Sequence, residues 1–201
     1  MAAIFCEIVG SDFYGYLKAL TTILIIQLPL LFADNKDKRF RNIIVIGLVF
    51  CLVGDIILLY QEMFIYGLIA FLIAHLLFCY AFYSHNNNKL SFIPLIPFAL
   101  IGVSYYLFLL SNLGQIAIPV AIYISVIIMM SWLAAELYLA DKNSKHLTIF
   151  VGAVLFLASD SILAFNKFIT PFEFSGLFIL LTYWMAITLF ACSTVRVNSE
   201  V

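Results

Sequence analysis

The chain has 201 residues, 65% of them hydrophobic and 10% charged, with a net charge of −1 at neutral pH and a mean hydropathy of +1.13. Soluble proteins do not have this composition, and a polytopic membrane protein does. The balanced charge argues against a nucleic-acid partner, and no basic amphipathic stretch suggests a peripheral membrane binder, so the chain is expected to span the bilayer.

Residues 1–12, MAAIFCEIVGSD, carry Glu7 and no Lys or Arg. They lack the basic start of a signal peptide, their apolar run is too short to span, and they are expected to cap the first helix from outside. Seven apolar segments follow, at about 13–33, 42–60, 63–83, 91–110, 116–140, 147–165 and 172–195. Each is near or above the ~20 residues a crossing helix needs. Nothing alternates polar and apolar residues as barrel strands do. The expected fold is therefore all-α: one integral membrane domain over residues 1–201, a transmembrane bundle of about seven helices. Pro94, Pro97 and Pro119 fall in the first turns of their helices, where proline is tolerated, whereas Pro29 falls late in the first helix and is expected to kink it.

Basic residues give an orientation. Lys36, Lys38, Arg39 and Arg41 lie in the first connection, Lys89 in the third, Lys142 and Lys145 in the fifth, and Arg196 in the tail. The opposite face has only Lys167, and Lys18 is inside the first helix. The positive-inside rule then places the C-terminus in the cytoplasm and the N-terminus outside. The cysteines Cys6, Cys51, Cys79 and Cys192 show no paired spacing, and the last three fall in apolar runs. They read as small core residues.

Chemistry concentrates between Gly47 and Tyr83, where two apolar runs separated by Gln61, Glu62 and Met63 form a helical hairpin that carries Asp55 and His75 inside the hydrocarbon slab. Each ionisable group at that depth is costly and normally faces a cavity or a partner. A second copy lies downstream: GLVFCLVGDIIL at 47–58 aligns with GAVLFLASDSIL at 152–163 with six identities at a constant offset of 105 residues. Repeat units at about 42–83 and 147–195 would run parallel, because four crossings separate them. Asp55 and Asp160 thus become two carboxylates facing one interior, at the level of Lys18. One reading is an ion pair or triad that holds three helices together. The other is an acid and an anion side by side, the arrangement an acid–base site requires.

His75 adjoins a seam of Gly67, Ala70 and Ala74 that permits close helix contact, so its imidazole should point inward. Zinc is poorly supported, because His85 and His146 lie in connections on the other side. No metal or other cofactor is expected. Tyr183 and Trp184 should reach a depth similar to His75 and offer polar handles to a substrate, and Glu136 sits at the inner end of the fifth helix. Ser159, beside Asp160, lacks the spacing of a catalytic triad and is expected to hydrogen-bond within the membrane. No Walker loop or dinucleotide fingerprint is present.

Lys18-Ala-Leu-Thr-Thr, Gly54-Asp55-Ile-Ile-Leu, Gly67 with Ala-Phe71-Leu and Ala-His75-Leu, Ala135-Glu136-Leu, and Ser159-Asp160-Ser-Ile-Leu-Ala together resemble the YhhN family of membrane proteins, over most of residues 17–190. The family usually has Lys-Pro where this chain has Lys18-Ala19, and many members have eight helices. The resemblance implies that Lys18, Asp55, His75, Glu136 and Asp160 are functional. It also implies lysoplasmalogenase activity: hydrolysis of the vinyl ether of a lysoplasmalogen to a fatty aldehyde and a glycerophospho-alcohol. Vinyl ethers are cleaved by protonation at the β-carbon and capture of the oxocarbenium ion by water, which needs an acid, a nearby anion and positioned water. The expected assignment makes Asp55, nearest in sequence to His75, the ionised water-orienting group, and Asp160 the proton donor. The competing expectation is a small transporter or flippase that uses the Lys/Asp cluster as an ion pathway.

Overall fold

The computed structural model describes residues 14–32, 37–86 and 90–195. The expected cap at residues 1–12, together with Cys6, Lys36, Lys89 and Arg196, lies outside the described residues. Among the described residues the fold is all helical, with α1 Tyr14–Leu31, α2 Lys38–Ile57, α3 Phe64–His85, α4 Leu95–Leu113, α5 Ala117–Ala140, α6 Ser144–Phe168 and α7 Ser175–Cys192.

Five stretches among these residues are long and apolar enough to cross a membrane: α2, α3, the run Leu95–Ala140 that contains α4 and α5, α6 and α7. The expected count of about seven is slightly high on that measure. The short turn Gly114–Ile116 joins α4 directly to α5. The apolar helix Gly15–Leu31 is shorter than the rest, ending two residues beyond Pro29.

Two helices begin earlier than their apolar runs, because caps rather than hydropathy set their starts. Asp37 accepts the Phe40 N–H at 3.3 Å, which starts α2 ahead of its charged first turn. Asn143 accepts the His146 N–H at 2.8 Å and starts α6 in the same way. Pro97 and Pro119 each occupy the third position of a helix, as expected, and Pro94 is the cap of α4. Gly114 ends α4 with φ at 53°, a conformation that glycine adopts without steric cost.

α1 packs on α2 and α7, α2 on α3, α3 on α5, α5 on α6 and α6 on α7, so six helices enclose one interior. α4 lies outside this ring, on α5 and α6. Its outer face shows why the bundle needs lipid: Leu100, Ile101, Val103 and Leu107 are each more than half exposed, an apolar patch that water would penalise. Cys51 and Cys79 are buried as expected, but Cys192 is exposed, because it faces away from the core between buried Ala191 and Ser193.

The core centres on Phe156, which is fully buried. Its ring lies 4.5 Å from that of His75, 5.5 Å from Tyr183, and 6.3 to 6.4 Å from Phe71, Phe78 and Phe190. Glycine admits such rings. A Cβ on Gly47 would lie 2.4 Å from the Phe78 ring, and one on Gly152 would lie 2.8 Å from Phe190 and 3.2 Å from the Ala186 carbonyl oxygen. The aligned glycines of the repeat thus each receive a phenylalanine from the helix that follows. Gly152→Val should force α6 and α7 apart and cost about 1 to 3 kcal/mol. A thermal unfolding temperature in detergent equal to that of the wild type would refute this packing.

Candidate active site

Asp55, on the last turns of α2, is 1% exposed. Its Oδ1 lies 3.3 Å from Lys18 Nζ of α1. Its Oδ2 accepts hydrogen bonds from Thr22 Oγ1 at 2.7 Å and from the Tyr183 hydroxyl of α7 at 2.8 Å. Lys18 and Thr22 are one helical turn apart on α1, so both reach the same carboxylate. A buried carboxylate is costly without partners, and here three helices supply them.

Asp160, on α6, is arranged differently. Its Oδ2 accepts a hydrogen bond from the Tyr123 hydroxyl of α5 at 2.6 Å. His75 Nε2 of α3 lies 3.6 Å from the same oxygen, beyond hydrogen-bond range but close enough to tighten. Among the described residues no lysine or arginine contacts Asp160. Its side chain is 15% exposed against 1% for Asp55, so Asp160 is the carboxyl more open to an incoming molecule.

Both aspartates line one cavity of about 520 Å³, which also takes in Lys18, Phe71, Ser159, Asn166, Lys167 and Tyr183. Tyr60 and Pro171 place its mouth at the end of the bundle where α2 passes to α3 and α6 to α7. A narrow apolar slot of about 50 Å³ adjoins Asp160, between α3, α4, α5 and α6, lined by Ile101, Ile124, Ile127 and Leu157. Tyr123 and Phe64 border it as well, and Phe64 is shared with the polar cavity. Asp160 therefore stands where a polar space meets a hydrocarbon one.

The sequence-based candidates divide accordingly. Lys18, Asp55, Asp160 and Tyr183 line the cavity, and His75 joins them through Asp160. Its inward orientation and the buried seam of Gly67, Ala70 and Ala74 are as expected. α3 turns His75 toward α6, between the rings of Tyr123 and Phe156, so that its nearest carboxyl is Asp160 and not Asp55 of its own hairpin. Trp184 does not line the cavity. One residue on from Tyr183, it faces a groove with Thr21 and Ile25 of α1.

Glu136 is not in the site either. It is 5% exposed and accepts the Ser91 N–H at 2.7 Å, while Trp132, one turn earlier, donates to the Ser91 carbonyl at 3.0 Å. Together they fasten the connection that precedes α4. Glu136 lies 13 residues along α5 from Tyr123, roughly 20 Å at 1.5 Å per residue. Ser159 donates to the Ile179 carbonyl at 3.0 Å, a tie between α6 and α7 rather than a nucleophile's geometry. His85 and His146 meet at the far end of the bundle, beside Asp37 and Lys145.

Sequence reasoning missed Tyr123 and Thr22. Thr22 was legible from its four-residue spacing to Lys18, whereas Tyr123 is one of 11 tyrosines and carried no distinguishing signal.

The YhhN family model matches residues 14–194. Human lysoplasmalogenase TMEM86A is 35% identical over 164 residues, which cover 79% of this chain and 67% of that protein. Human lysoplasmalogenase TMEM86B is 29% identical over 200 residues, covering 96% and 81%. The uncharacterized membrane protein YhhN of Escherichia coli O6:H1 is 29% identical over 146 residues, covering 71% and 68%. No solved structure matches the chain.

Removing Lys18 alone should leave the Asp55 carboxylate buried without its cation. Lys18→Met should destabilise the protein by about 3 kcal/mol or more, and Lys18→Met with Asp55→Leu should recover much of that loss. Thermal unfolding in detergent reads both. Equal destabilisation in the single and double variants would show that the 3.3 Å contact carries no coupling.

Proposed function

Because the chain belongs to the YhhN family, we propose that it is a lysoplasmalogenase-type membrane hydrolase that uses Asp160 as its acid and Asp55 as its anion. One observation carries this reading: a buried aspartate and a partly buried one share a cavity, yet among the described residues only the buried one is paired with a cation. Lys18, Thr22 and Tyr183 hold Asp55 as a carboxylate. Among the described residues Asp160 has no such cation, and no hydrogen bond from them occupies its Oδ1. It is the proton donor.

In the proposed reaction the vinyl ether lies against Asp160. The carboxyl proton passes to the β-carbon, the π electrons form the new C–H bond, and an oxygen lone pair closes the oxocarbenium ion. The Asp160 carboxylate left behind keeps its Tyr123 hydrogen bond and gains one from His75 as that 3.6 Å gap closes. Water adds to the cationic carbon and returns a proton to Asp160. The hemiacetal then breaks its bond to the glycerol oxygen as Asp160 gives that oxygen its proton and takes up the hemiacetal hydroxyl proton, giving an aldehyde and a glycerophospho-alcohol with Asp160 again protonated. Asp55 gives the cavity a second negative oxygen, which supports the cation and orients the water. The apolar slot beside Asp160 accepts the first carbons of the chain.

The cavity and its charges gather at one end of the bundle rather than along a path through it, which favours hydrolysis over transport. The basic residues cluster at the other end, so the proposed orientation places the C-terminus in the cytoplasm and opens the cavity away from it.

Purified protein in detergent should release aldehyde from a lysoplasmenylethanolamine. Asp55→Asn and Asp160→Asn should each fold and lose at least 100-fold in turnover, roughly the worth of a positioned acid or base. Near-wild-type release by either variant would remove that aspartate from the chemistry. Tyr123→Phe should cost about tenfold, because it removes one hydrogen bond to a carboxylate. An unchanged rate would mean that the hydroxyl serves packing only.

A further inference from the structure

Lys167 has no assigned task. Among the described residues it and Lys18 are the basic groups at the cavity end of the bundle, and both line the cavity. Lys18 is committed to Asp55. Among the described residues Lys167 is not committed to any carboxylate: Glu62 and Glu173 belong to the same end, yet neither lies within 4 Å of it. Its ammonium instead rests over the Phe64 ring, 5.0 Å from the centroid. Such a contact holds a cation in place without neutralising it. Asn166 beside it also lines the cavity, and its Oδ1 accepts the Phe172 N–H at 3.2 Å, which fixes the turn at the rim.

We propose that Lys167 is the site that binds the head-group phosphate of the lysophospholipid substrate, an inference that rests on the hydrolase reading above. Its position on α6 supports this. Lys167 is seven residues beyond Asp160, nearly two helical turns, so the two share a face and lie about 10 Å apart along the axis. In a lysoplasmalogen, seven bonds separate the β-carbon of the vinyl ether from phosphorus. At the ~1.2 Å per bond that sets the reach of an extended chain, they span roughly 8 to 9 Å. A phosphate held at the Lys167 ammonium would thus bring the β-carbon to the level of the Asp160 carboxyl, with the rest of the chain directed to the apolar slot.

The test compares substrates with and without phosphate. On a lysoplasmenylethanolamine, Lys167→Gln should raise KM about tenfold, the worth of one charge-assisted hydrogen bond, with kcat within twofold; Lys167→Arg should restore it. On the 1-alkenylglycerol of the same chain length, which lacks phosphate, the Gln variant should differ from the wild type by less than twofold. Equal losses on both substrates, or no loss on the phospholipid, would overturn the proposal.

A binding arm reads the site without turnover. Lysophosphatidylcholine should stabilise the wild type against heat more than a monoacylglycerol of equal chain length does, and Lys167→Gln should abolish the difference. If that difference is found while no vinyl ether is cleaved, the hydrolase reading fails and the phosphate site stands. No difference in the wild type, or equal stabilisation by inorganic phosphate alone, overturns the lipid phosphate site.

Discussion

The Lys18–Asp55 pair is the constraint on which the site depends. A carboxylate with 1% exposure cannot be solvated by hydrocarbon, so its charge has to be met by groups from neighbouring helices. α1 supplies Lys18 and Thr22 and α7 supplies Tyr183. These contacts draw α1 and α7 onto α2 and help close the ring of six helices, with Phe156 filling the centre beneath. Burying an ion pair need not stabilise a fold compared with apolar packing. A pair kept in the core at such expense is better understood through what it does for the cavity it borders.

The aromatic core separates the two carboxyl groups into different surroundings. Phe156 lies one turn before Asp160 and meets His75, Tyr183 and Phe71. It backs the partners of both aspartates: Tyr183 on Asp55 and His75 on Asp160. Each aspartate is therefore reached by a side chain from the other hairpin, since Tyr183 belongs to the α6–α7 hairpin and His75 to the α2–α3 hairpin. A shift of one hairpin against the other would disturb both contacts together. The glycines that admit phenylalanine rings within each hairpin limit how far such a shift can go.

The helical class, the helix positions and the inward faces of Asp55, His75 and Asp160 were legible from hydropathy and from small-residue spacing, because both report directly on contact with lipid or with a neighbouring helix. The partners were less legible. Asp55 is the carboxyl nearest to His75 in sequence, but closure of the ring carries His75 to Asp160. Glu136 was expected in the site only through the family resemblance. Its register on α5 carries it to the backbone of Ser91, and periodicity within one helix cannot reveal a contact made across a connection. Trp184 failed for a simpler reason. Adjacent helical residues point about 100° apart, so Tyr183 and Trp184 could not both face one cavity.

The duplicated spacing extends further than the aligned segment. Lys18 and Tyr123, the residues of the preceding helices that touch Asp55 and Asp160, are also 105 positions apart. Each aspartate thus sits in the middle helix of a three-helix set, contacted from the equivalent position of the first helix, with α4 as an outside connector. What differs is the chemistry at that position. A lysine brings a full positive charge and fixes its aspartate as an anion; a tyrosine brings only a hydroxyl, which can donate to a carboxylate or accept from a carboxylic acid. One repeated spacing with two different neighbours gives the two carboxyl groups different surroundings. On the proposed reading, the division between acid and anion follows from Lys18 and Tyr123 more than from the aspartates themselves.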